Sequence, residues 1–291
     1  MFKGSLVALI TPFRNGKVDE KAFQGLVEWH IQEGTHGLVP CGTTGESPTL
    51  SHDEHKRVVE LCIEAARGRV PVIAGTGSNS TDEAIDLTRH AKKAGADGAL
   101  IVTPYYNKPT QEGLFQHFKA IAEAVDIPIL VYNIPGRSVV DVSVETMARI
   151  AKVKNIVGVK ESTGDLSRIT KHRLQIGEKF IQLSGEDYLA LSQMAAGADG
   201  CISVTANIAP RQLSQMHVLC QKGDFAGARA IHERLAPLHE ALFVETSPGP
   251  VKFGASLLGK CAGDIRLPLV EPTAATRERV RAAMIHAGLL N

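Results

Sequence analysis

The sequence predicts an α/β protein, a (β/α)8 TIM barrel with a C-terminal helical extension, and three observations support this fold class. Eight short apolar runs alternate with longer segments of helical periodicity. Parallel strands need such crossover segments, and eight units in roughly 220 residues match the size of this barrel. After Gly223 the strand-like runs stop and helical patterns follow. We therefore expect a barrel over residues 1–223 and a helical extension over residues 224–291.

Each predicted element rests on its own local pattern. The strands are apolar runs bounded by glycine, proline or polar residues. They cover residues 6–10, 37–41, 71–74, 99–103, 127–132, 156–160, 180–184 and 200–205. The clearest helices have apolar residues three and four positions apart. They cover residues 53–66 and 81–94 in the barrel, and residues 224–243, 248–258 and 273–287 in the extension.

Two alternatives to this organisation remain open. The first is a doubly wound open sheet, which we rank lower because no G-x-G-x-x-G motif follows the first strand. The second concerns the extension, which is either an appendage on the barrel or a small second domain. No linker interrupts the N-terminal part of the chain.

Composition excludes several functional classes. The chain is 44% hydrophobic and 22% charged with a formal net charge of +1, so no general field favours nucleic acid or an anionic membrane. No apolar run reaches the roughly 18 residues of a membrane span, and the N-terminus lacks the form of a signal peptide. The five cysteines form no C-x-x-C motif, which predicts neither a disulfide framework nor a zinc site. We expect a cytoplasmic protein.

Lys160 is the most unusual residue, because it ends an apolar run that otherwise indicates a buried strand. Lysine is rarely fully buried, since an unpaired ammonium loses much of its hydration. Burial favours the neutral amine, which is a nucleophile toward a carbonyl carbon and can form a Schiff base with a keto substrate. The alternative is that the strand ends at Val159 and Lys160 reaches solvent.

Polar and aromatic residues follow the other strands at the same end of the predicted barrel, which is where barrel enzymes carry their chemistry. This convergence favours the catalytic interpretation of Lys160. The segments are residues 42–47, 103–107, 132–137, 184–187 and 205–207.

Each segment also has a plain structural interpretation. Residues 42–47 lack the lysine of a P-loop, and are either an ordinary turn or a cradle of backbone amides for a small carboxylate. Tyr132 is either a core residue or a site residue, and Arg137 either a solvated loop residue or a carboxylate clamp. His52 and His55 have i, i+3 spacing, unlike the zinc motif H-E-x-x-H, so a solvated helix turn is the simpler interpretation.

Taken together, these segments resemble the pyruvate-dependent class I aldolase family of N-acetylneuraminate lyase and dihydrodipicolinate synthase, and the synthase branch is the closer match. The resemblance covers the chain from Gly4 to Leu289. Its carrying segments are Gly-Thr-Thr-Gly-Glu-Ser at 42–47, Val-Ile-Ala-Gly-Thr-Gly at 72–77, Val-Thr-Pro-Tyr-Tyr-Asn-Lys-Pro at 102–109, Tyr-Asn-Ile-Pro-Gly-Arg at 132–137 and Gly-Val-Lys-Glu at 158–161.

The resemblance implies a role for each site residue. Lys160 would form the Schiff base with pyruvate, and Tyr132 would be the general acid and base, linked through Thr43 to Tyr106. Tyr106 would reach into a neighbouring subunit, which implies a homotetramer built as a dimer of dimers. The residues that would bind the substrates are Thr43 and Thr44 for the pyruvate carboxylate, Gly185 and Ile202 for the pocket wall, and Arg137 for the carboxylate of L-aspartate 4-semialdehyde.

The resemblance also implies an effector site for L-lysine at the dimer interface. The matching positions are Ser47, His52, His55, Asn79, Glu83 and Tyr105. Pro48 departs from the small residue usual at its position and removes a backbone N–H. A second departure is Thr-Ser-Pro-Gly-Pro at 246–250, where the family pattern is Asn-Pro-Ile-Pro.

Two other functions remain as alternatives. One is another pyruvate-dependent aldolase, such as an N-acetylneuraminate lyase, acting on a different aldehyde. Arg137 and the Thr43–Thr44 pair favour the synthase, because the lyases lack that arginine and tend to have Ser-Thr. The other is a barrel that only binds a ligand, which the complete set of site residues disfavours. Schiff-base chemistry needs no metal or organic cofactor, and we expect none.

Overall fold

The computed structural model describes all residues from 1 to 291 and has eight parallel strands arranged in a closed barrel. The barrel strands are β1 (Gly4–Ala8), β4 (Gly37–Val39), β5 (Ile73–Gly75), β6 (Gly98–Val102), β7 (Ile129–Asn133), β8 (Ile156–Glu161), β9 (Ile181–Ser184) and β10 (Gly200–Ser203). Neighbouring strands pair in the order β4-β1-β10-β9-β8-β7-β6-β5, and a bridge between Leu38 and Val72 closes the circle. The (β/α)8 barrel is therefore confirmed, and the open sheet is excluded.

The predicted strands agree with the observed ones to within two residues at each end. One element was not predicted, a small antiparallel hairpin formed by β2 (Phe13–Arg14) and β3 (Lys17–Val18). Its turn is Asn15–Gly16, and both residues have positive φ, of 53° and 75°. Asn-Gly is a strong hairpin signal, because a tight turn with two positive φ angles suits these residues.

Nine helices accompany the barrel strands, and their starts follow from local capping. Helix α2, for example, begins with a capping box, in which Ser51 and Glu54 satisfy each other's backbone amides. The nine are α1 (Glu20–Gln32), α2 (His52–Ala66), α3 (Thr81–Ala94), α4 (Gln111–Ala124), α5 (Pro135–Ser138), α6 (Val144–Ile150), α7 (Ser167–Ile176), α8 (Ala190–Ala195) and α9 (Pro210–Gln221).

Three further helices form the predicted C-terminal extension: α10 (Phe225–Ala241), α11 (Gly249–Leu257) and α12 (Ala274–His286). They share a hydrophobic core with the barrel, since Leu235, Val251 and Val280 belong to the same buried cluster as Val7 and Leu9. The domain boundary at residue 223 stays a prediction. None of the helices has both the length and the apolar character needed to cross a membrane.

Alternation along the strands separates an inner core from an outer one. On β7, Leu130 and Tyr132 belong to the cluster inside the barrel, whereas Ile129 and Val131 pack outward with the helices. The inner cluster consists mainly of aliphatic residues and fills the barrel below its mouth. As a result, the side chains at the carboxyl ends of the strands rest on a packed floor.

Candidate active site

Lys160 and Tyr132 are adjacent in the barrel wall. Residue pairing between β7 and β8 places them side by side, and each is only 5% exposed. The Lys160 Nζ atom lies 4.1 Å from the centroid of the Tyr132 ring, in cation–π geometry. The alternative that Lys160 reaches solvent is wrong. Instead, a buried amine and a phenol lie together at the carboxyl end of the barrel.

The next residue on each strand faces the opposite way and joins a buried polar network. Asn133 Nδ2 donates to Asp141 at 2.8 Å and lies 3.4 Å from both carboxylate oxygens of Glu161. Arg168 forms ion pairs with Asp141 and with Glu161, the latter at 3.6 Å. Burial raises the pKa of the Glu161 carboxyl, and the Arg168 guanidinium opposes this shift. The network therefore ties β7 to β8 directly behind Tyr132 and Lys160.

The turn at residues 42–47 carries Thr43 and Thr44, and its shape depends on strained backbone. Cys41 before it and Glu46 within it both have φ of 56°, a left-handed conformation that costs a non-glycine residue about 1–3 kcal/mol. Inside the turn, Glu46 N donates to Thr43 O at 3.1 Å. Thr44 is 4% exposed, whereas Thr43 is only partly buried and lines the mouth cavity.

Gly185 and Ile202 complete the wall around Lys160. A methyl group on Gly185 would lie 1.8 Å from Ser162 Oγ and 3.0 Å from Lys160 Cε, so only glycine fits against the lysine side chain. Ile202 is fully buried in the inner cluster that also contains Tyr132. Both predicted pocket residues are thus close to the lysine and tyrosine pair.

Glu186 follows Gly185 and was not among the predicted site residues. Burial raises the pKa of its carboxyl, and the nearby Lys160 ammonium partly offsets this effect. The signal available in the sequence was its position directly after a strand that ends at the same mouth. It therefore adds a second titratable group beside the candidate nucleophile.

Arg137 lies in the short helix α5, immediately after the turn that follows β7. Its side chain is exposed, lines the mouth cavity, and donates from Nη2 to the carbonyl of Ser247 at 3.4 Å. The arginine therefore contacts the segment 246–250, which departs from the family pattern. That segment is distant in sequence but not in space.

The two tyrosines after β6 lie in a loop, since β6 ends at Val102. Tyr105 is 37% exposed and lines the mouth cavity, while Tyr106 is 89% exposed with φ of 72°. Within one chain, Tyr106 contacts neither Thr43 nor Tyr132 by hydrogen bonding.

A cavity of about 440 Å³ is lined by residues of both the predicted active site and the predicted effector site. From the active site these are Thr43, Tyr132 and Arg137, whereas Lys160 does not line it. On the effector side the lining residues are Ser47, Pro48, His52, His55, Glu83 and Tyr105. The cavity therefore contacts five of the six effector positions. The sixth, Asn79, donates from Nδ2 to the Tyr105 carbonyl at 3.2 Å.

The effector positions surround a carboxylate. Glu83 lies 2.7 Å from His52 Nε2 and accepts from Ser78 Oγ, and the Ser78 hydrogen bond is the main cause of its lowered pKa. His55 is buried, its Nε2 lies 2.8 Å from the Gly75 carbonyl, and burial lowers its pKa to about 4. The interpretation of these histidines as a solvated helix turn holds for His52 alone.

These observations define a (β/α)8 barrel protein with a buried lysine and tyrosine at the carboxyl mouth of the barrel. The chain belongs to the dihydrodipicolinate synthetase family, whose model matches residues 1–287. The resemblance inferred from sequence segments is confirmed, and with it the expectation that the protein is an enzyme.

Relatives match over the whole chain. The 4-hydroxy-tetrahydrodipicolinate synthase of Rhodospirillum centenum is 67% identical over 290 residues, covering 100% of both chains. A chloride-inhibited dihydrodipicolinate synthase from Acinetobacter baumannii, complexed with pyruvate, is 48% identical, with a TM-score of 0.98 and 100% of both chains covered. The enzyme from Cyanidioschyzon merolae with lysine bound is 39% identical, with a TM-score of 0.96 and 99% of both covered.

Proposed function

We propose that this protein is a lyase that condenses pyruvate with L-aspartate 4-semialdehyde to give 4-hydroxy-tetrahydrodipicolinate, in lysine and diaminopimelate biosynthesis. The names of its full-length relatives support this activity, as does the pyruvate complex of the Acinetobacter baumannii enzyme. The observation that carries the proposal is the placement of Lys160. Its Nζ atom is buried and lies 4.1 Å from the Tyr132 ring centroid.

Lys160 would act as the nucleophile. Its amine attacks the ketone carbon of pyruvate, water leaves, and an iminium forms. The iminium withdraws electrons from the adjacent methyl group, which loses a proton to give an enamine. The buried position of Lys160 supports this step, because an amine held beside the substrate carbonyl reacts without having to be brought into place.

The enamine then forms a carbon–carbon bond with the aldehyde carbon of the second substrate, and the aldehyde oxygen takes up a proton. The substrate's own amine attacks the imine carbon, the bond to Lys160 breaks, and the ring closes with release of the lysine. Tyr132 would move these protons, since its ring lies against Lys160. A positioned acid–base group typically contributes about 10²–10⁴-fold in rate.

The two carboxylates would be held at different places in the mouth. The Thr43–Thr44 turn offers hydroxyls and backbone amides to the pyruvate carboxylate. Arg137 is exposed at the cavity wall, where a guanidinium can bind the carboxylate of L-aspartate 4-semialdehyde in bidentate geometry. Gly185 and Ile202 would shape the space for the pyruvyl group.

Tyr106 would act across a subunit boundary. Its side chain is 89% exposed within one chain and lacks the hydrogen bonds expected of a relay. Large aromatic side chains are enriched at interfaces, where their polar end finds a partner. We therefore propose that a homotetramer, a dimer of dimers, brings Tyr106 to a neighbour's Thr43.

L-lysine would bind in the effector part of the cavity as a feedback inhibitor. Glu83 is held ionised and can accept the ammonium group, while His52, His55 and Asn79 supply polar contacts around it. The lysine complex of the Cyanidioschyzon merolae enzyme supports an effector of this kind. Pro48 lines the same cavity and leaves the side-chain contacts accessible.

Borohydride trapping tests the proposal. The protein is incubated with pyruvate, reduced with borohydride and digested, and mass spectrometry identifies the modified residue. We expect the adduct on Lys160, and none in the Lys160→Arg variant. An unmodified Lys160 in the wild-type protein would refute the Schiff-base mechanism.

Turnover measurements then test the second substrate, and L-lysine titration tests the effector. Activity with L-aspartate 4-semialdehyde and none with N-acetylneuraminate is expected. The reverse result would replace the synthase assignment with a lyase assignment. A reaction rate that does not change with L-lysine concentration would show that the effector site does not function.

A further inference from the structure

One buried charged group lies outside the site described so far, in the C-terminal extension. Lys252 of α11 is fully buried, and its Nζ donates to Glu46 Oε1 at 2.6 Å, although 206 residues separate the two. The Nζ atom also lies 4.2 Å from the centroid of the Phe13 ring. A lysine with no exposed surface is rare unless it is paired.

Glu46 is held from two sides by the same extension. Its Oε1 atom accepts from Lys252, and its Oε2 atom accepts from the backbone N–H of Arg266 at 3.0 Å. The Arg266 guanidinium in turn binds the Thr49 carbonyl at 2.7 Å and the Glu54 carboxylate. The extension therefore contacts the residues that follow the Thr43–Thr44 pair through hydrogen bonds and ion pairs.

Glu46 also stands in a strained conformation. Its φ of 56° is left-handed, and its backbone N–H donates to the Thr43 carbonyl at 3.1 Å. Such conformations persist only where surrounding contacts enforce them. The Lys252 ion pair and the Arg266 N–H are the contacts that the Glu46 carboxylate makes, so the extension maintains this part of the turn.

We propose that Lys252 is a positioning residue for the reaction, which acts through Glu46 to hold the Thr43–Thr44 turn in the geometry that binds the pyruvate carboxylate. The C-terminal extension would then be part of the catalytic apparatus without touching substrate. This inference rests on the proposed function, because it assigns the turn to pyruvate.

The test compares two variants of the full-length protein. Lys252→Met alone leaves the Glu46 carboxylate buried without its cationic partner, which is strongly destabilising. The double variant Lys252→Met with Glu46→Gln removes both charges. It therefore leaves no unpaired buried charge, while the ion pair between α11 and the turn is lost. Val280→Ala is the matched control, because it removes two fully buried methyl groups from α12 without touching a group that holds the turn.

Steady-state kinetics and the rate of pyruvate trapping by borohydride are measured below the melting temperature of each variant. The double variant should show a raised KM for pyruvate and a loss in kcat/KM for pyruvate of about 10- to 100-fold, as expected for a misplaced binding group. Its KM for the second substrate should change little. Val280→Ala should lower the melting temperature and leave the pyruvate KM within about twofold of wild type.

Two results would overturn the inference alone. One is a folded double variant with a wild-type pyruvate KM and trapping rate. The other is a Val280→Ala protein with the same pyruvate defect, which would make the effect one of general stability. Failure of the wild-type protein to trap pyruvate would instead overturn the proposed function, and the inference with it.

Discussion

Replacing Gly185 with alanine tests whether the space beside Lys160 is essential for its chemistry. The added methyl group would lie 1.8 Å from Ser162 Oγ and 3.0 Å from Lys160 Cε. Ser162 Oγ would have to retreat by more than about 1 Å to reach an ordinary contact distance. The Lys160 side chain would be displaced as well, since its Cε atom also lies within the unfavourable range.

The expected effect follows from that displacement. Overpacking of this kind costs about 1–3 kcal/mol of stability. Lys160 Cε has to give by only a few tenths of an ångström, which is less than the displacement of about 1 Å that typically costs a reacting group about 10²-fold in rate. We therefore expect kcat/KM for pyruvate to fall about tenfold, or about 1.4 kcal/mol of transition-state stabilisation, with slower borohydride trapping, while the protein remains folded at room temperature.

Two variants serve as controls for this prediction. Gly136→Ala introduces the same methyl group elsewhere at the mouth, where nothing lies within 4 Å of it, and should leave the kinetics nearly unchanged. Adding Ser162→Ala to Gly185→Ala removes the closest clash and leaves the contact with Lys160 Cε, so it should restore part of the lost activity. Wild-type trapping by Gly185→Ala would refute the steric argument, as would the absence of any recovery in the double variant.

Three further predictions concern the proton donor, the effector site and the buried histidines. Tyr132→Phe should lower kcat by about 10²–10⁴-fold while leaving pyruvate binding measurable by calorimetry; a normal kcat would exclude Tyr132 as the acid–base group. Glu83→Gln should raise the L-lysine concentration for half-inhibition at least about tenfold without changing kcat, whereas Glu60→Gln, which breaks a similar contact with a histidine, should change neither. Burial lowers the pKa of His30 from 6.5 to about 3, so the unfolded chain takes up a proton between those values that the folded chain does not. Stability should therefore fall as the pH drops below about 6.5, and His30→Leu should reduce that slope by about one proton, or about 1.4 kcal/mol per pH unit, near pH 5. Urea unfolding at several pH values and a fixed protein concentration measures this, and an unchanged slope would contradict the assignment.

The barrel and the location of its site were predictable because both follow from local patterns. Each strand is recognisable in the sequence as an apolar run, and each polar segment directly follows such a run. Parallel strands in a closed barrel then bring those segments to one mouth, whatever their separation along the chain. For this reason Lys160, Tyr132 and Arg137 could be grouped before any contact between them was known.

Contacts between distant segments could not be predicted in this way. Lys252 looks like an ordinary surface position in a helical pattern, and only the packing of α11 on the barrel buries it against Glu46. Arg266 likewise lies in an irregular segment, yet it binds both the loop after the turn and the start of α2. The hydrophobic periodicity of a C-terminal helix does not indicate which loop of the barrel that helix will pack against.

Strand alternation fixes which way the residues next to Tyr132 and Lys160 face. Tyr132 and Lys160 pair across β7 and β8 and face the barrel interior, so Asn133 and Glu161 must pair one step further and face the helices. A buried carboxylate there is tolerated because Asn133, Arg168 and the Thr163 N–H surround it. A slip of one residue between these strands would place Glu161 in the barrel and Lys160 among the helices, so the outer network opposes the register error that would remove the nucleophile from its site.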